Sequence, residues 1–487
     1  MSTGPGAHSA PAPNVPDTTD TTDTRATEPE PPKPPKPSKS PKTSMFSSLR
    51  VRNYRLFASG QLVSNIGTWM QRIAQDWLVH SLTGSATAVG LTVALQFLPM
   101  LLFGLYGGVI ADRYDKRRLL LLTQVTMSLT GLALAALTLT GSVQVWHVYG
   151  LAFALGLITV VENPARQTFV AELVGPSQLR NAVSLNSANF QSARLVGPAV
   201  AGVLITAAGS GWAFLVNGLS FLAPIAALLL MRRTDLSPAE PVRRARGQLR
   251  EGLRYVRSHP ELMWPIILVG FVGTFGFNFP IWLTAFTERV FDQGAGVYGL
   301  LNVLMAAGSL TGALLAARRS TSGRRLLVGS AALFALLLGL AAVTPWFWVF
   351  AALMVAIGVM GLTFNVTANS SVQLATDPAM RGRVMSLFMM VFMGGTPIGG
   401  PLMGWITDTY GPRVGLLAGA FLSLLGAVLV GLALARAAGL RLSMDLRRGS
   451  RRVAFVPRET REPLPVSPVA GPTTPAPAAP ARVGASR

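Results

Sequence analysis

The sequence predicts an all-α integral membrane protein whose twelve transmembrane helices form two six-helix repeats. The chain of 487 residues is 50% hydrophobic and only 13% charged, whereas about a quarter of the residues are charged in soluble domains. Twelve apolar segments, each long enough to cross a bilayer as a helix, follow one another with short interruptions. The two halves of the chain also repeat each other at a fixed offset.

The apolar segments form two sets of six, and we number them spans 1 to 12. The first set is 56–82, 87–111, 119–140, 145–173, 182–208 and 212–231. The second set is 262–286, 297–317, 326–343, 346–374, 384–409 and 414–435. Since backbone N–H and C=O groups cannot stay unpaired in lipid, each span is expected to be helical.

An internal repeat relates the two sets. Residues 156–202 align without gaps on residues 358–404. The matched pairs include Gly156 with Gly358, Asn163 with Asn365, Pro176 with Pro378, Gly197 with Gly399 and Gly202 with Gly404. Parallel six-helix repeats are typical of secondary transporters, whose substrate site lies at the repeat interface near the bilayer midplane. The pattern predicts alternating access by rocking of one half against the other.

Charge and composition divide the chain into five regions. They are a disordered Pro/Thr/Lys-rich tail at 1–44, an N-terminal bundle at 45–231, a basic linker at 232–260, a C-terminal bundle at 261–436, and a basic, then Pro/Ala-rich disordered tail at 437–487. Within the linker, residues 248–257 are expected to form an amphipathic helix on the membrane surface.

The net charge of +21 is distributed as an orientation signal. The loops on one side of the predicted bundle carry most of the basic residues, and those on the other side carry only Arg289 and Arg413. The positive-inside rule then places the basic side, with both termini, in the cytoplasm. This asymmetry favours a lipid bilayer over nucleic acid as the partner of the positive charge.

The loop between spans 2 and 3 carries a recognisable motif, Gly108-x-x-x-Asp112-Arg113-x-x-Lys116-Arg117. It resembles the corresponding loop of major facilitator superfamily transporters, which implies the major facilitator fold and a conformational latch. Asp115 stands where the family pattern usually has a second glycine. An ordinary positive-inside loop is the alternative interpretation.

A second motif, Gly197-Pro198-Ala199-Val200-Ala201-Gly202, lies in span 5. It resembles the Gly-Pro-x-x-Gly-Gly element of proton-coupled drug antiporters, with Ala201 replacing one glycine. Small residues allow close helix packing, and Pro198 leaves the carbonyl of Arg194 without its helical partner. A purely structural kink is the alternative.

Five ionisable residues lie within the spans of the first half, where charge is costly enough to suggest function. They are Arg72, Asp76, Glu162, Arg166 and Arg194. The first four form two pairs at i, i+4 spacing, so each acid has a base on the same helix face. Structural ion pairs and proton coupling both fit this spacing. Glu162 is the favoured proton-binding candidate, with Arg194 as an alternative partner.

The second half lacks such charges but is rich in Met, aromatic and amide side chains, which suit a large and partly apolar ligand. The candidates for a substrate cavity are Phe275, Asn278, Trp282, Asn365, Asn369 and Met389.

Residues 45–436 resemble, more narrowly, the bacterial exporter group that includes enterobactin exporters and multidrug antiporters. The matching runs are 65–71 in span 1 and 162–167 in span 4, although Ala152 stands where members often have an arginine. The resemblance implies proton-coupled efflux of a hydrophobic or amphipathic, drug-like or siderophore-like molecule. Facilitated uptake, lipid translocation and a non-transporting scaffold or sensor are the alternatives.

The remaining expectations concern cofactors and location. Without a Gly-x-x-x-x-Gly-Lys loop, direct ATP drive is not expected, and without cysteine there are no disulfides or thiolate metal sites. We expect no enzyme activity, no cofactor or metal, a small-molecule substrate, a proton gradient as the driving force, and a monomer in the bacterial cytoplasmic membrane.

Overall fold

The computed structural model describes residues 46–236, 248–318, 323–437, 440–445 and 452–457. The α-helices in the first half are α1 Arg52–Thr83, α2 Ala86–Arg113, α3 Lys116–Leu139, α4 Val145–Ala208, α5 Ser210–Ser220 and α6 Leu222–Leu230. They are followed by α7 Gln248–Ser258, α8 Pro260–Phe271, α9 Phe279–Arg289, α10 Ala295–Ala317, α11 Arg324–Val343, α12 Phe347–Ala375, α13 Arg381–Gly394, α14 Thr396–Tyr410 and α15 Pro412–Ala437.

Short elements complete the described chain. Ser47–Arg50 and Arg233–Asp235 are 3₁₀ helices, and Val272–Gly276 is a π-helical stretch that joins α8 to α9. Strands β1 Leu440–Asp445 and β2 Arg452–Pro457 pair antiparallel. The tail at 437–487 was expected to lack secondary structure, but apolar and polar residues alternate in Leu440–Asp445 with the period of a strand.

The helices agree with the twelve predicted spans. Ten helical stretches among the described residues are long and apolar enough to cross a membrane. One of them, α4, has 64 residues and would be roughly 96 Å long if straight, about three bilayer cores. It is interrupted at Gly175, whose φ of 67° and ψ of 176° are not helical, so α4 supplies spans 4 and 5. Span 1 corresponds to α1, which is not one of these ten stretches because its polar residues lower its mean hydropathy.

The two ends of the bundle can be told apart by their loops. The basic face is the end that carries the loop at Tyr114–Asp115, Gly175 and the start of the linker at residue 231. The far face is the opposite end, where α1 leads into α2 and α9 into α10. The most extensive contacts between the two six-helix halves run from α2 to α14 and from α4 to α10, and α9 and α13 also contact the first half.

Close approach of these helices depends on glycine. A Cβ added to Gly90 would lie 2.3 Å from the carbonyl oxygen of Gly400, and one added to Gly404 would lie 2.6 Å from that of Ala86. A Cβ added to Gly299 would lie 2.7 Å from the Cα of Gly202. These positions lie in the parts of their helices nearer the far face, so the halves meet closely there.

The predicted linker helix is confirmed as α7, but it packs on the C-terminal half. The Glu251 carboxylate accepts from Arg383 of α13 at 2.8 Å, and the Tyr255 hydroxyl donates to Asp377 at 2.8 Å. Val256 is buried in the same contact. Residues 237–247 of the linker and the tail at 1–44 lie outside the described residues, so the boundaries of the five regions stay predictions.

Candidate functional site

A cavity of about 390 Å³ lies between the two halves. Its walls come from both of them, since α1, α2 and α4 face Phe277 and residues of α9, α10, α11, α12, α13 and α14. The residues that line it include Trp69, Arg72, Asp76, Phe97, Arg194 and Pro198 of the first half, and Phe277, Phe279, Asn302, Phe334, Asn365 and Phe392 of the second. The cavity therefore lies at the repeat interface, where the internal repeat predicted a site.

Two arginines share one aromatic ring in this cavity. The Cζ of Arg72 lies 5.0 Å from the ring centroid of Trp69, and the Cζ of Arg194 lies 5.7 Å from it. Cation–π attraction operates within about 6 Å. Arg72 and Trp69 are three residues apart on α1, so they share one face of that helix. Arg194 reaches the same ring from α4. The Nε of Arg72 is buried and has no hydrogen-bond partner among the described residues.

Asp76 connects the halves directly. Its carboxylate accepts a hydrogen bond of 3.1 Å from the hydroxyl of Tyr298, which stands in the first turn of α10. Both side chains are buried. The carbonyl of Tyr298 accepts from Asn302, which lines the cavity one turn further along α10. Asp76 thus lies at the end of the cavity nearer the far face, where its charge affects a contact between the halves.

The second predicted pair of charges lies elsewhere. The Glu162 carboxylate forms an ion pair with Arg166 at 2.8 Å within α4, and Arg166 also donates to the side chain of Asn163 at 3.1 Å. Neither Glu162 nor Arg166 lines the cavity. Arg194 lies against the ring of Trp69, and it makes no contact with Glu162 among the described residues.

The candidates from the second half are mostly placed away from the cavity. Asn365 lines it. Asn278 is buried and donates to the carbonyl of Thr274, and Asn369 accepts from Gln373. Trp282 is fully buried beside Gly419, and Phe275 packs against the core of the same half. Met389 is 45% exposed. Hydropathy could not separate Phe275 and Trp282 from the cavity-lining Phe277 and Phe279, because all four lie on the same short stretch of sequence.

Tyr298 and Trp69 are the important site residues that sequence reasoning did not select. Tyr298 stands near the start of an apolar segment, where an aromatic side chain is normally interpreted as part of the interfacial belt. Trp69 lies in the run 65–71 that indicated the exporter group, but nothing in that run identified it as the ring shared by two arginines.

The loop motif ties the basic face of the first half together. Lys116 forms an ion pair of 2.6 Å with Glu172 of α4. Arg117 is buried and donates to the carbonyls of Leu228 and Leu229 at the end of α6. Asp115 accepts from the backbone N–H of Arg118 and caps α3, which explains an acid where glycine is usual. Gly108 is buried, Asp112 is half-buried and Arg113 is exposed.

The span 5 motif packs on two helices. A Cβ on Gly197 would lie 2.5 Å from the Cβ of Trp69 on α1. A Cβ added to Gly202 would lie 3.3 Å from the nearest atom of Gly296 and 3.3 Å from that of Gly299, both on α10. Pro198 lines the cavity between these contacts. The motif therefore packs α4, which carries Arg194, against α1, which carries Arg72, and against α10 of the opposite half.

A polar cluster closes the far face. The carboxylate of Asp408 on α14 accepts from the backbone N–H of Ala86 at 2.9 Å and from that of Thr87 at 2.8 Å. The hydroxyls of Ser85 and Thr87 donate to it as well. Arg289 pairs with Asp408 at 2.9 Å, and His80 contacts Glu288 across the same junction. A carboxylate at a helix N-terminus is favoured by the unpaired N–H groups and by the helix dipole.

The described residues contain no cluster of three or more His, Asp or Glu side chains that could hold a metal ion.

Comparison with known proteins gives consistent results. The family model described as transmembrane secretion effector matches residues 43–447. The staphyloferrin A transporter of Staphylococcus aureus (strain NCTC 8325 / PS 47) is 26% identical over 366 residues, which cover 73% of this chain and 90% of that protein. The enterobactin exporter EntS of Salmonella typhimurium is 24% identical over 385 residues, covering 78% and 91%.

Solved structures are similar over most of the chain. An inward-facing, unoccupied bacterial homolog of the human lysosomal transporter Spinster aligns with a TM-score of 0.65 at 14% identity, covering 79% of this chain and 96% of the other. A bacterial homologue of the iron transporter ferroportin, also inward-facing, aligns with a TM-score of 0.59 at 16% identity. At these identities the likeness establishes the fold alone.

Proposed function

Because the chain belongs to the transmembrane secretion effector family of the major facilitator superfamily, we propose that it exports a siderophore-like, amphipathic small molecule by proton-coupled alternating access. Membership of this family makes the protein a multi-pass membrane transporter rather than an enzyme. The substrate class, the direction of transport and the coupling ion belong to this proposal.

The observation that supports this proposal best is the cavity between the halves. It combines aromatic walls with a small number of charged and amide groups, which is the usual make-up of a site for an amphipathic ligand. The halves make glycine-mediated contacts near the far face. A cavity closed at one face is part of one of the two states that alternating access requires.

Orientation follows from charge. The basic face carries the motif loop and the start of the linker, and basic loops stay in the cytoplasm. On this basis the structure corresponds to an inward-facing state in a bacterial cytoplasmic membrane, with both termini inside. Substrate would enter from the cytoplasm, and opening of the far face would release it outside.

We assign the proton to Asp76 in preference to Glu162. Asp76 lines the cavity and accepts its hydrogen bond from the opposite half, so protonation would weaken a contact that keeps the far face closed. Glu162 already has a contact ion pair on its own helix. Protonation of Asp76 is therefore better placed to favour one global state over the other.

The test is transport by purified protein in liposomes with an imposed pH gradient. The panel consists of staphyloferrin A, enterobactin and a cationic dye, each measured by mass spectrometry or fluorescence. We expect one of the two siderophores to accumulate only with the gradient and to lose accumulation with a protonophore. If folded protein moves neither siderophore under any gradient, siderophore-like export is excluded. Gradient-independent equilibration would instead indicate facilitated transport.

A further inference from the structure

We propose that the cavity recognises its substrate through an anionic group, which Arg72 and Arg194 bind beside the ring of Trp69, while the aromatic walls hold an apolar or aryl body. This inference rests on the proposal that the cavity is the transport site. It adds the charge class of the substrate and names the residues that select it.

The first argument is charge balance. Three charged side chains line the cavity, namely Arg72, Asp76 and Arg194. Two positive groups thus face one negative group when Asp76 is ionised, and none when it is protonated. A charge in a low-dielectric environment is costly unless an opposite charge or hydrogen bonds compensate it. An anionic ligand would supply the missing negative charge.

The second argument is the bonding of the arginines. The Nε of Arg72 is buried without a hydrogen-bond partner among the described residues, although a guanidinium offers five N–H donors. The described contacts of Arg72 and Arg194 in the cavity are those with the Trp69 ring. A ring face attracts a cation but accepts few directed hydrogen bonds, so the donors are available to a planar anion such as a carboxylate.

The third argument concerns the nearby acids. The Asp76 carboxylate accepts a hydrogen bond from the Tyr298 hydroxyl. Among the described residues, it forms no contact ion pair with Arg72. Glu162 pairs with Arg166 outside the cavity, and Glu172 pairs with Lys116 at the basic face. Among the described residues, the two cavity arginines therefore have no contact ion pair, whereas Arg166 and Lys116 each have one.

The rest of the cavity indicates what accompanies the anion. Five phenylalanines line it around the arginine pair, and they are Phe97, Phe277, Phe279, Phe334 and Phe392. Phe277 lies 5.2 Å from Phe334 and 5.9 Å from Phe392, measured between ring centroids, so these three rings form one connected surface. A flat apolar body is the complementary shape for such a wall.

The experiment uses two ligands of nearly the same shape, one an anion and the other neutral. They are 3-hydroxy-2-naphthoate and its neutral amide, 3-hydroxy-2-naphthamide, which have the same ring system. Binding to the full chain in nanodiscs of phosphatidylcholine is measured by equilibrium dialysis, so that no anionic lipid headgroup competes. We expect the naphthoate to bind at least about tenfold more tightly, since one charge-assisted hydrogen-bonded pair contributes that much.

Variants then identify the residues. Arg72→Gln and Arg194→Gln should each weaken naphthoate binding by about tenfold and leave naphthamide binding unchanged. Asp76→Asn should strengthen naphthoate binding, because it removes the competing negative charge. Arg436→Gln changes an exposed arginine at the end of α15 and should affect neither ligand. Arg72→Lys, which retains the charge, should keep part of the preference.

Two results would overturn the inference. One is equal affinity of the unmutated protein for both ligands, and the other is an unchanged naphthoate preference in both glutamine variants. Melting temperatures recorded for every variant exclude loss of fold as the cause of weak binding. Since the binding assay needs no transport, its failure is distinguishable from failure of siderophore efflux, and export of a neutral substrate would contradict only the present inference.

Discussion

At the scale of single residues, the two acid–base pairs of the first half have different environments despite their identical spacing. Arg72 and Asp76 face the cavity and interact with Trp69 and Tyr298, whereas Glu162 and Arg166 neutralise each other within α4. The i, i+4 spacing brings two side chains onto one helix face but does not determine what that face contacts. We therefore expect the pairs to respond differently to mutation.

Replacing Asp76 by Asn should abolish accumulation driven by a pH gradient while sparing downhill exchange, because the side chain keeps its shape but no longer binds a proton. The measurement is uphill and downhill flux on the same reconstituted protein. Tyr298→Phe is the matched control, since it removes the same hydrogen bond but leaves Asp76 able to titrate. Gradient-driven accumulation by Asp76→Asn would show that another group carries the proton.

Replacing Glu162 by Gln should lower stability rather than coupling. The change leaves Arg166 with a nearly buried charge and no counter-charge, which costs about 3 kcal/mol in comparable pairs. Thermal unfolding in detergent measures the loss. The double variant Glu162→Gln/Arg166→Gln should regain most of it because no unpaired charge remains. A stable Glu162→Gln protein that has lost only uphill flux would restore Glu162 as the proton-binding candidate.

At the scale of helices, glycine determines where the halves can touch. The contact between α4 and α10 has Gly202 opposite Gly296 and Gly299, so the two backbones approach each other without side chains between them. Small residues have this role in membrane helices generally. The antiporter-like motif in span 5 is thus one side of a contact whose other side, on α10, has no motif of its own.

Gly299→Ala should open the far face. The added Cβ would lie 2.7 Å from the Cα of Gly202 and 2.9 Å from the carbonyl oxygen of Pro198, and backbone atoms cannot move aside as a side chain can. Because the chain has no cysteine, a single cysteine at Ser309 in the cavity reports access. We expect faster labelling by a membrane-impermeant maleimide added from the far face.

Gly329→Ala in α11 is the control for this experiment, since a Cβ there meets nothing within 4 Å. It should leave labelling unchanged and should stabilise the helix by roughly 1 kcal/mol, the difference in helix propensity between the two residues. Equal labelling rates in the two alanine variants would remove the Gly202–Gly299 contact from the closure of the far face.

At the scale of the whole molecule, the far face is held by a charged cluster as well as by packing. Asp408 belongs to the second half and receives hydrogen bonds from the first turn of α2 in the first half. Arg289 contacts Asp408 and also donates to the carbonyl of Gly84. Rocking of the halves must break this cluster, so its strength influences the balance between inward-facing and outward-facing states.

Asp408→Asn should shift that balance towards the outward-facing state by about tenfold, since charge-assisted hydrogen bonds contribute roughly 1.5–3 kcal/mol. Spin labels on cysteines at Ser142 and Gln293 would report the distance between the halves on the far face. We expect a longer-distance population to appear in Asp408→Asn. Asp292→Asn, which removes an exposed acid from the same face, should leave the distances unchanged. Matching distributions for both variants would contradict the role of Asp408.

The sequence by itself determined the membrane class, the span positions and the repeat, and it predicted a site between the halves, where the structure has a cavity. These properties depend on local composition and periodicity, because a bilayer requires long apolar helices and a repeat preserves spacing. The structure confirmed the spans within a few residues at most ends. The loop motif was recognisable in the sequence, but the contacts that Asp115, Lys116 and Arg117 make came from the structure, and the latch role stays a prediction.

Only the tertiary structure decided which intramembrane residues meet. Asp76 and Tyr298 are 222 positions apart, and their contact depends on the rotation of α1 and α10 about their axes. Hydrophobicity does not set that rotation, because membrane helices are apolar on most faces, towards lipid and neighbours alike. Packing of small residues sets it. For the same reason Arg194 reaches Trp69 instead of Glu162, and Phe277 reaches the cavity while Trp282, five residues later, is buried in the core of its own half.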